Sequence, residues 1–251
     1  MLISVVTASF NSFNTILDTL KSVASQSYNN VEHICIDGGS TDGTQEIIEN
    51  YPSCSISLIS EPDFGIYDAM NKGIQRSTGD VVGILNSDDF YLSDDLLYEV
   101  AALFKADQEL EVVFGDVDFV NDDDLLHPVR RYSAGNFKPW MFRFGLMPPH
   151  PAVFVRRSAY QRVGFYKLGY IIAADFDFLI RLLLIDGAKY KTVDKTFVRM
   201  RIGGVSTSGF KSNFIATREM KRSLRENGLF ASVLLLMCRL PFKLLTQVLR
   251  T

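Results

Sequence analysis

Four short apolar runs alternate with helix-spaced stretches through the first hundred residues, and this confines the chain to an α/β fold. Residues 2–8 are an apolar, β-branched run, and residues 13–26 carry Ile16, Leu17, Leu20 and Val23 at helical spacing. The strand pattern returns at residues 31–36, 55–59 and 81–85. Between these runs lie a short helix with Ile47 and Ile48 and a second helix over residues 66–75. A third helix is expected from Ser93, with Leu96, Leu97, Val100, Leu103 and Phe104 on its inner stripe. Ser93 caps it, and Asp94 and Asp95 complement its positive end. Strand–helix alternation of this kind builds a parallel, doubly wound sheet, whose ligands sit at the carboxyl edge.

That edge is where the fourth run stops, at Leu85-Asn86-Ser87-Asp88-Asp89. Side chains alternate along a strand, so Asn86 and Asp88 face one cleft, with Asp89 assisting from the turn. Carboxylates suit Mg²⁺ or Mn²⁺, which take one or two protein oxygens and complete their shell with substrate phosphates. The competing account of the same residues is a turn leading into the Ser93 helix.

The second half is less regular. Residues 112–120 and 125–132 form a hairpin across Asn121-Asp122-Asp123-Asp124. An aromatic stretch (Phe137, Trp140, Phe142, Phe144) precedes Pro148-Pro149-His150-Pro151, a strand at 153–155 and a Leu-rich helix at 175–185. The chain has 251 residues, 47% of them hydrophobic and 22% charged, enough for a substantial core. Its three cysteines, Cys35, Cys54 and Cys238, are too scattered for a disulfide framework or a zinc site, and Cys35 reads as a reduced core thiol. The start carries no secretory signal, which points to the cytoplasm.

The net charge of −3 hides an asymmetry. From Lys211 onward there are eight basic and two acidic side chains, whereas residues 1–210 carry 18 basic and 27 acidic ones. An acidic body argues against a nucleic-acid-binding main domain, and the basic tail suits an anionic surface. Residues 229–238 are almost wholly apolar, yet far short of the roughly 20 residues a membrane span needs. Arg239, Lys243 and Arg250 follow, and Pro241 ends or kinks the helix. The pattern fits a helix in the membrane interface. Packing on its own domain, or on a second subunit as a homodimer, is the alternative.

Three segments together carry a resemblance. Val5-Val6-Thr7-Ala8-Ser9-Phe10-Asn11, Ile36-Asp37-Gly38-Gly39-Ser40-Thr41-Asp42-Gly43-Thr44 and Asn86-Ser87-Asp88-Asp89 resemble the signatures of inverting family-two glycosyltransferases with the GT-A fold. Glu61-Pro62-Asp63-Phe64-Gly65-Ile66-Tyr67-Asp68-Ala69-Met70-Asn71-Lys72-Gly73 is similar to a branch acting in bacterial surface-polysaccharide assembly, such as exopolysaccharide, O-antigen or capsule. The resemblance implies a GT-A domain over 1–207, with a nucleotide-sugar-binding half at 1–115 and an acceptor-binding half at 116–207. Residues 208–251 are then a basic, apolar helical tail.

It also implies roles. Thr7 and Ala8 line the nucleoside pocket; Ser9, Asp37 and Asp63 offer polar contacts, and Gly38 allows close backbone approach. Asn86, Ser87 and Asp88 face the donor, Asp88 and Asp89 are the metal ligands, and Lys72 is a secondary candidate for the phosphates. Asp175, in Ala173-Ala174-Asp175-Phe176-Asp177, matches the general base that takes the acceptor proton. His150 is a candidate contact for acceptor or diphosphate. Arg201 is a candidate in a closing loop that includes Gly203-Gly204-Val205-Ser206.

The chain departs from the family pattern at Gly38, Asn86 and Ala174, which stand where Asp, Asp and Glu are usual. The motif and membrane spans of processive synthases are missing, so one sugar per encounter is expected. The implied donor is a nucleotide-sugar, UDP-linked ahead of GDP-linked, delivering a hexosyl or N-acetylhexosaminyl group. The implied acceptor is a lipid-linked oligosaccharide at the inner face of the cytoplasmic membrane. Two alternatives stand beside this reading: an inactive homologue that binds nucleotide-sugar without turnover, and a sugar nucleotidyltransferase. The latter would need a Gly-rich basic loop where Ser9-Phe10-Asn11-Ser12-Phe13 lies.

Overall fold

A computed structural model describes residues 1–53, 55–203 and 209–239, without the side chains of 209 and 210. Cys54, the Gly204-Val205-Ser206 part of the expected closing loop, and Pro241, Lys243 and Arg250 lie outside the described residues.

The first half follows the alternation. β1 (Ile3–Ser9), α1 (Ile16–Ala24), β2 (Val31–Asp37), α2 (Thr44–Glu49), β3 (Ile56–Ser60), α3 (Ile66–Arg76) and β4 (Val81–Ile84) succeed one another. They are followed by a two-residue β5 (Phe90–Tyr91) and by α4 (Leu96–Ala106). Every residue of β1 is buried, as a strand covered by helices on both faces requires. α4 begins later than Ser93 because the 93–95 turn is tied down elsewhere. The Ser93 carbonyl accepts from the Gln26 amide at 2.8 Å, and the Asp94 carbonyl accepts from Ser27 N at 2.8 Å.

The second half holds β6 (Val112–Val120), β7 (Arg130–Tyr132), β8 (Val153–Arg156), α5 (Arg157–Val163), α6 (Ala174–Leu179) and β9 (Tyr190–Arg201). α7 (Gly209–Glu226) and α8 (Val233–Met237) complete the described chain. The expected hairpin forms between β6 and β7, though β7 is only three residues long. The expected helix at 175–185 is split, with α6 passing into a π-helical turn at Ile180–Ile185. The aromatic stretch is a 3-10 turn, Pro139–Phe144, whose Phe142 packs on Phe137 and Phe176.

Among the described residues one nine-stranded sheet results, in the order β3-β2-β1-β4-β8-β6-β9-β5, with β7 added to β6. The β3-β2-β1-β4 block is parallel throughout. β8 then enters antiparallel between β4 and β6, and β9 runs parallel to β6. Register matters most at the block's carboxyl edge. Ser9 pairs with Asp37 and Asp37 with Ser60, so three polar side chains on adjacent strands end level.

α3 lies unusually close to this block. A Cβ on Gly73 would stand 2.2 Å from a Val6 methyl, so only glycine allows the approach. Tyr67, Ala69, Met70 and Ile74 of α3 join the main core with β1, β2 and β4. The same core takes in Leu224 of α7 and Leu236 of α8, both fully buried. The tail helices are therefore built onto the sheet domain rather than hung from it. Among the described residues no helix is long and apolar enough to cross a membrane.

Candidate functional site

Asp37 is the most heavily bonded side chain at the carboxyl edge. Its carboxylate accepts from Ser9 Oγ at 3.2 Å, Ser60 Oγ at 2.8 Å, Gly39 N at 3.1 Å, Ser40 N at 2.8 Å and the Ser40 hydroxyl. Burial pushes this carboxyl up, but the bonds from Ser40, Ser60 and Gly39 outweigh it and hold it below the ordinary carboxylate range. With its lone pairs so engaged, Asp37 shapes the 38–40 turn.

The turn is braced from the β1 side. Asn11 N donates to Ser40 Oγ at 2.8 Å, and Asn11 Oδ1 accepts from Thr41 N at 3.0 Å; Asn11 itself has φ of 49°. Thr7 and Ala8 are buried beneath the edge, with Thr7 Oγ1 2.9 Å from His33 Nε2.

Gly38 faces a carboxylate. A Cβ there would lie 2.5 Å from Asp63 Oδ2 and 3.4 Å from the Phe10 ring. The space a side chain at position 38 would take is thus occupied by the Asp63 carboxylate, which arrives from the segment before α3. Phe10 keeps 63% of its surface exposed at the end of β1, beside Gly38. An open aromatic ring next to a bare backbone is a stacking platform for a base. Sequence reasoning passed over it; the signal was an aromatic placed just past a strand's carboxyl end. Lys72 is committed to holding this segment, with Nζ 3.0 Å from Glu61, 3.3 Å from Asp68 and 3.1 Å from the Pro62 carbonyl.

The Asn86–Asp89 turn follows β4. Asp89 is fully buried, its Oδ2 accepts from Asn86 Nδ2 at 3.2 Å, and its Oδ1 has no partner. Asn86 Oδ1 is likewise buried without a partner. Burial, followed by the neighbouring Asp88, drives Asp89 well above the usual carboxylate range; burial also raises Asp88. Asp89 Oδ1 and Asn86 Oδ1 are thus buried acceptors short of a donor beside a second carboxylate, Asp88, and oxygens of this kind suit a hard divalent cation. Among the described residues no cluster of three or more His, Cys, Asp or Glu could hold a metal alone. An ion at Asp88 and Asp89 would need further oxygens to complete its shell. Ser87 Oγ lies 2.7 Å from Ser12 Oγ, tying this turn to the β1 loop.

Arg201 sits behind the turn. It is 6% exposed at the end of β9, donates to the Asp88 carbonyl at 2.8 Å, and pairs with Asp18 at 2.5 Å and Asp122 at 3.1 Å. Each of its three guanidinium nitrogens thus has a partner within the fold, where Arg201 buttresses the acidic turn. His150 is also enclosed, its Nε2 2.7 Å from the Tyr166 hydroxyl, and burial lowers its pKa to about 4. The ring is neutral and part of the aromatic packing under α6.

Asp175 opens α6 and keeps part of its surface free. Its Oδ1 accepts from Phe176 N at 2.8 Å and lies 3.4 Å from the Tyr67 hydroxyl, which donates to the Ile172 carbonyl at 2.5 Å. Burial raises its pKa to about 6, offset in part by the bonds from Phe176 and Tyr67. Asp177 turns the other way, fully buried against Lys167, Arg181, Ser223 and Asn227. α3 joins the two ends of the site: the segment entering it brings Asp63 to Gly38, and its Tyr67 meets Asp175.

A sequence model of Glycosyl transferase family 2 matches residues 4–164. The chain belongs to that family. The family-2 match ends before Asp175, so the lower half of the site rests on the fold. "Uncharacterized glycosyltransferase MT1564" of Mycobacterium tuberculosis (strain CDC 1551 / Oshkosh) is 33% identical over 193 residues, 73% of this chain and 69% of that protein. A "PGL/p-HBAD biosynthesis glycosyltransferase" of Mycobacterium bovis (strain BCG / Pasteur 1173P2) is 34% identical over 165 residues, 64% of this chain and 62% of that protein. Among solved structures, Staphylococcus aureus TarS 1–349 in complex with UDP-GlcNAc has a TM-score of 0.70 at 18% identity, covering 89% of this chain and 66% of that one. Mannosyltransferase PcManGT of Pyrobaculum calidifontis, in complex with GDP-Man and Mn²⁺, has a TM-score of 0.65 at 17% identity and covers 98% and 73%. At such identities these structural likenesses speak for the fold, a GT-A one.

Proposed function

We propose that this family-2 protein is an inverting, non-processive glycosyltransferase that moves one hexosyl or N-acetylhexosaminyl group from a nucleotide-sugar to an acceptor hydroxyl. The observation that carries the reading is two unlike acidic sites: Asp88 beside the fully buried Asp89 in the turn after β4, and a part-open Asp175 at the start of α6, pushed up by burial to about 6. The base stacks on Phe10 against the Gly38 backbone, with Asp63 taking the place of the missing family aspartate. The donor is taken as a UDP-sugar ahead of a GDP-sugar, and the Asp63 carboxylate suits either base, accepting from uracil N3–H or from guanine N1–H.

Asp175 accepts the proton of the acceptor hydroxyl as its oxygen attacks the anomeric carbon. The bond from that carbon to the diphosphate oxygen breaks, its electron pair leaves with the nucleoside diphosphate, and configuration inverts. Asp88 with Asp89 would hold Mg²⁺ or Mn²⁺, which supplies charge neutralisation for the departing diphosphate. Asn86 and Ser87 line the same turn.

A lipid-linked oligosaccharide in bacterial surface-glycan assembly fits as acceptor. Its support is the tail: α7 leaves Lys211, Phe214, Arg218 and Arg225 exposed at helical spacing, and Phe230, Leu234 and Met237 follow them, also exposed. An anionic membrane surface on the cytoplasmic side attracts such a face. The M. bovis relative, named for PGL/p-HBAD biosynthesis, and the Bacillus subtilis "Putative teichuronic acid biosynthesis glycosyltransferase TuaG", 38% identical over 98 residues, are in keeping with surface glycans.

The test is a thermal-shift panel of UDP, GDP and their common sugars, with and without Mn²⁺. Folded-state binding raises the melting temperature by mass action. A Mn²⁺-dependent rise with one nucleotide supports the donor site and names the base. No rise with any of them, for folded protein, refutes it.

A further inference from the structure

The carboxylate of Glu219, on α7, is spent entirely on the backbone leading into α6. Oε1 accepts from Ile171 N at 2.7 Å, and Oε2 accepts from Ile172 N and Ala173 N, each at 2.9 Å. Glu219 is 8% exposed and lies well beyond the residues matched by the family. A buried carboxylate is costly unless its bonds repay its lost hydration, and three consecutive amide donors do so. The same 171–173 segment is gripped from the opposite side, where Tyr67 of α3 donates to the Ile172 carbonyl. Two residues further on is Asp175. The segment is thus clamped between α7 and α3, and both clamping groups come close to the Asp175 carboxylate.

We propose that Glu219 and Tyr67 are positioning residues for Asp175, fixing the place of its carboxylate and balancing its proton affinity from opposite sides. The inference rests on the reading of Asp175 as the base and adds what sets that base. The one proton of Tyr67 goes chiefly to the Ile172 carbonyl at 2.5 Å and is shared weakly with Asp175 Oδ1 at 3.4 Å, which favours the ionised form; Glu219 places a second negative charge nearby and favours the neutral form. Desolvation is the larger contribution, and these two adjust it. The titratable groups facing Asp175 are Tyr67 from α3, Glu219 from α7, Tyr132 from β7 and Tyr166 from the segment before α6, the last bonded to His150. Phenols stay neutral over the working range, so Glu219 is the charged member of that set.

The arrangement ties α7 to the backbone that leads to Asp175. Its exposed face carries the basic residues named above and its buried face carries Glu219, one helical turn from Ser223, which bonds Asp177. A surface that docks on α7 therefore bears on the loop holding the base.

The experiment is a ¹³C NMR titration of aspartate side chains in the full chain, with Asp175 assigned by its absence from Asp175→Asn. Wild type is expected to titrate near 6. Glu219→Gln removes the charge and turns an amide against three N–H donors, and its midpoint is expected lower by about one pH unit. Tyr67→Phe removes the stabilising donor, and its midpoint is expected higher. Opposite shifts support the proposal; coincident midpoints in all three proteins overturn it. Should Glu219→Gln not fold, hydrogen exchange of wild type decides the clamp: protected amides at Ile171, Ile172 and Ala173 support it, and free exchange overturns it. Nucleotide release from UDP-N-acetylglucosamine by Asp175→Asn is a separate arm. Release at the wild-type rate refutes Asp175 as base and leaves the titration result intact.

Discussion

Asp63 and Gly38 show how much a single position decides. A side chain at residue 38 would have to push the Asp63 carboxylate aside, because a Cβ would stand 2.5 Å from it. Gly38→Asp is therefore expected to displace Asp63 rather than restore the family pattern, weakening nucleotide binding about tenfold or more through lost positioning. Phe10→Ala is expected to cost about 1–3 kcal/mol of donor affinity, the usual worth of a base stacked on an aromatic ring; calorimetric titration with the nucleotide found by thermal shift reads it. Asp175→Asn is expected to lower transfer about 10²–10⁴-fold while leaving donor binding intact. In wild type, a base with a pKa of about 6 is ionised above that value, so the rate is expected to fall as pH drops through about 6. A rate flat from pH 5 to 8 would contradict the assignment.

At the scale of elements, α3 does the most. Its residues were legible as a helix because Ile66, Ala69, Met70 and Ile74 recur at helical spacing, but its closeness to β1 depends on Gly73. Gly73→Ala is expected to destabilise the fold by about 1–3 kcal/mol, the cost of forcing a methyl into a packed helix–sheet interface. Denaturant unfolding measures it. Because α3 carries Tyr67 and follows Asp63, the same substitution should lower both donor affinity and turnover. The β-strands beyond β4 were harder to read. β5 has two residues and leaves no alternation to register, whereas β8 was legible at 153–155 and only its antiparallel entry between β4 and β6 was not. The first turn of α4 was misplaced for a related reason, since Ser93 and Asp94 are held by α1-side partners that spacing does not show.

For the whole molecule, the acidic body and basic tail predict behaviour at a charged surface. Arg218→Glu with Arg225→Glu is expected to weaken sedimentation with phosphatidylglycerol vesicles by roughly 1 kcal/mol per basic residue removed, and to leave binding to neutral vesicles unchanged. Equal sedimentation of variant and wild type would remove the membrane reading and leave packing on the domain, or on a second copy, as what the tail does. Truncation is the poorer test, because Leu236 and Arg239 are buried against the sheet domain and α7, and their loss would disturb the core.

The sequence by itself determined the strand–helix order, the polar edge at Ser9, Asp37 and Asp88, and the acidic Asp175, because these depend on local periodicity and on chemistry confined to a few neighbouring residues. It could also point to a family, since the motifs lie in contiguous runs. Only the tertiary structure decided what each group faces. It gave Asp37 to the turn and left Phe10 open. It set Asp63 where residue 38 has no side chain, committed Arg201 and His150 to partners far along the chain, and brought Glu219 to the loop before Asp175. Those facts come from contacts between residues tens to more than a hundred positions apart, and packing, not local spacing, chooses such partners.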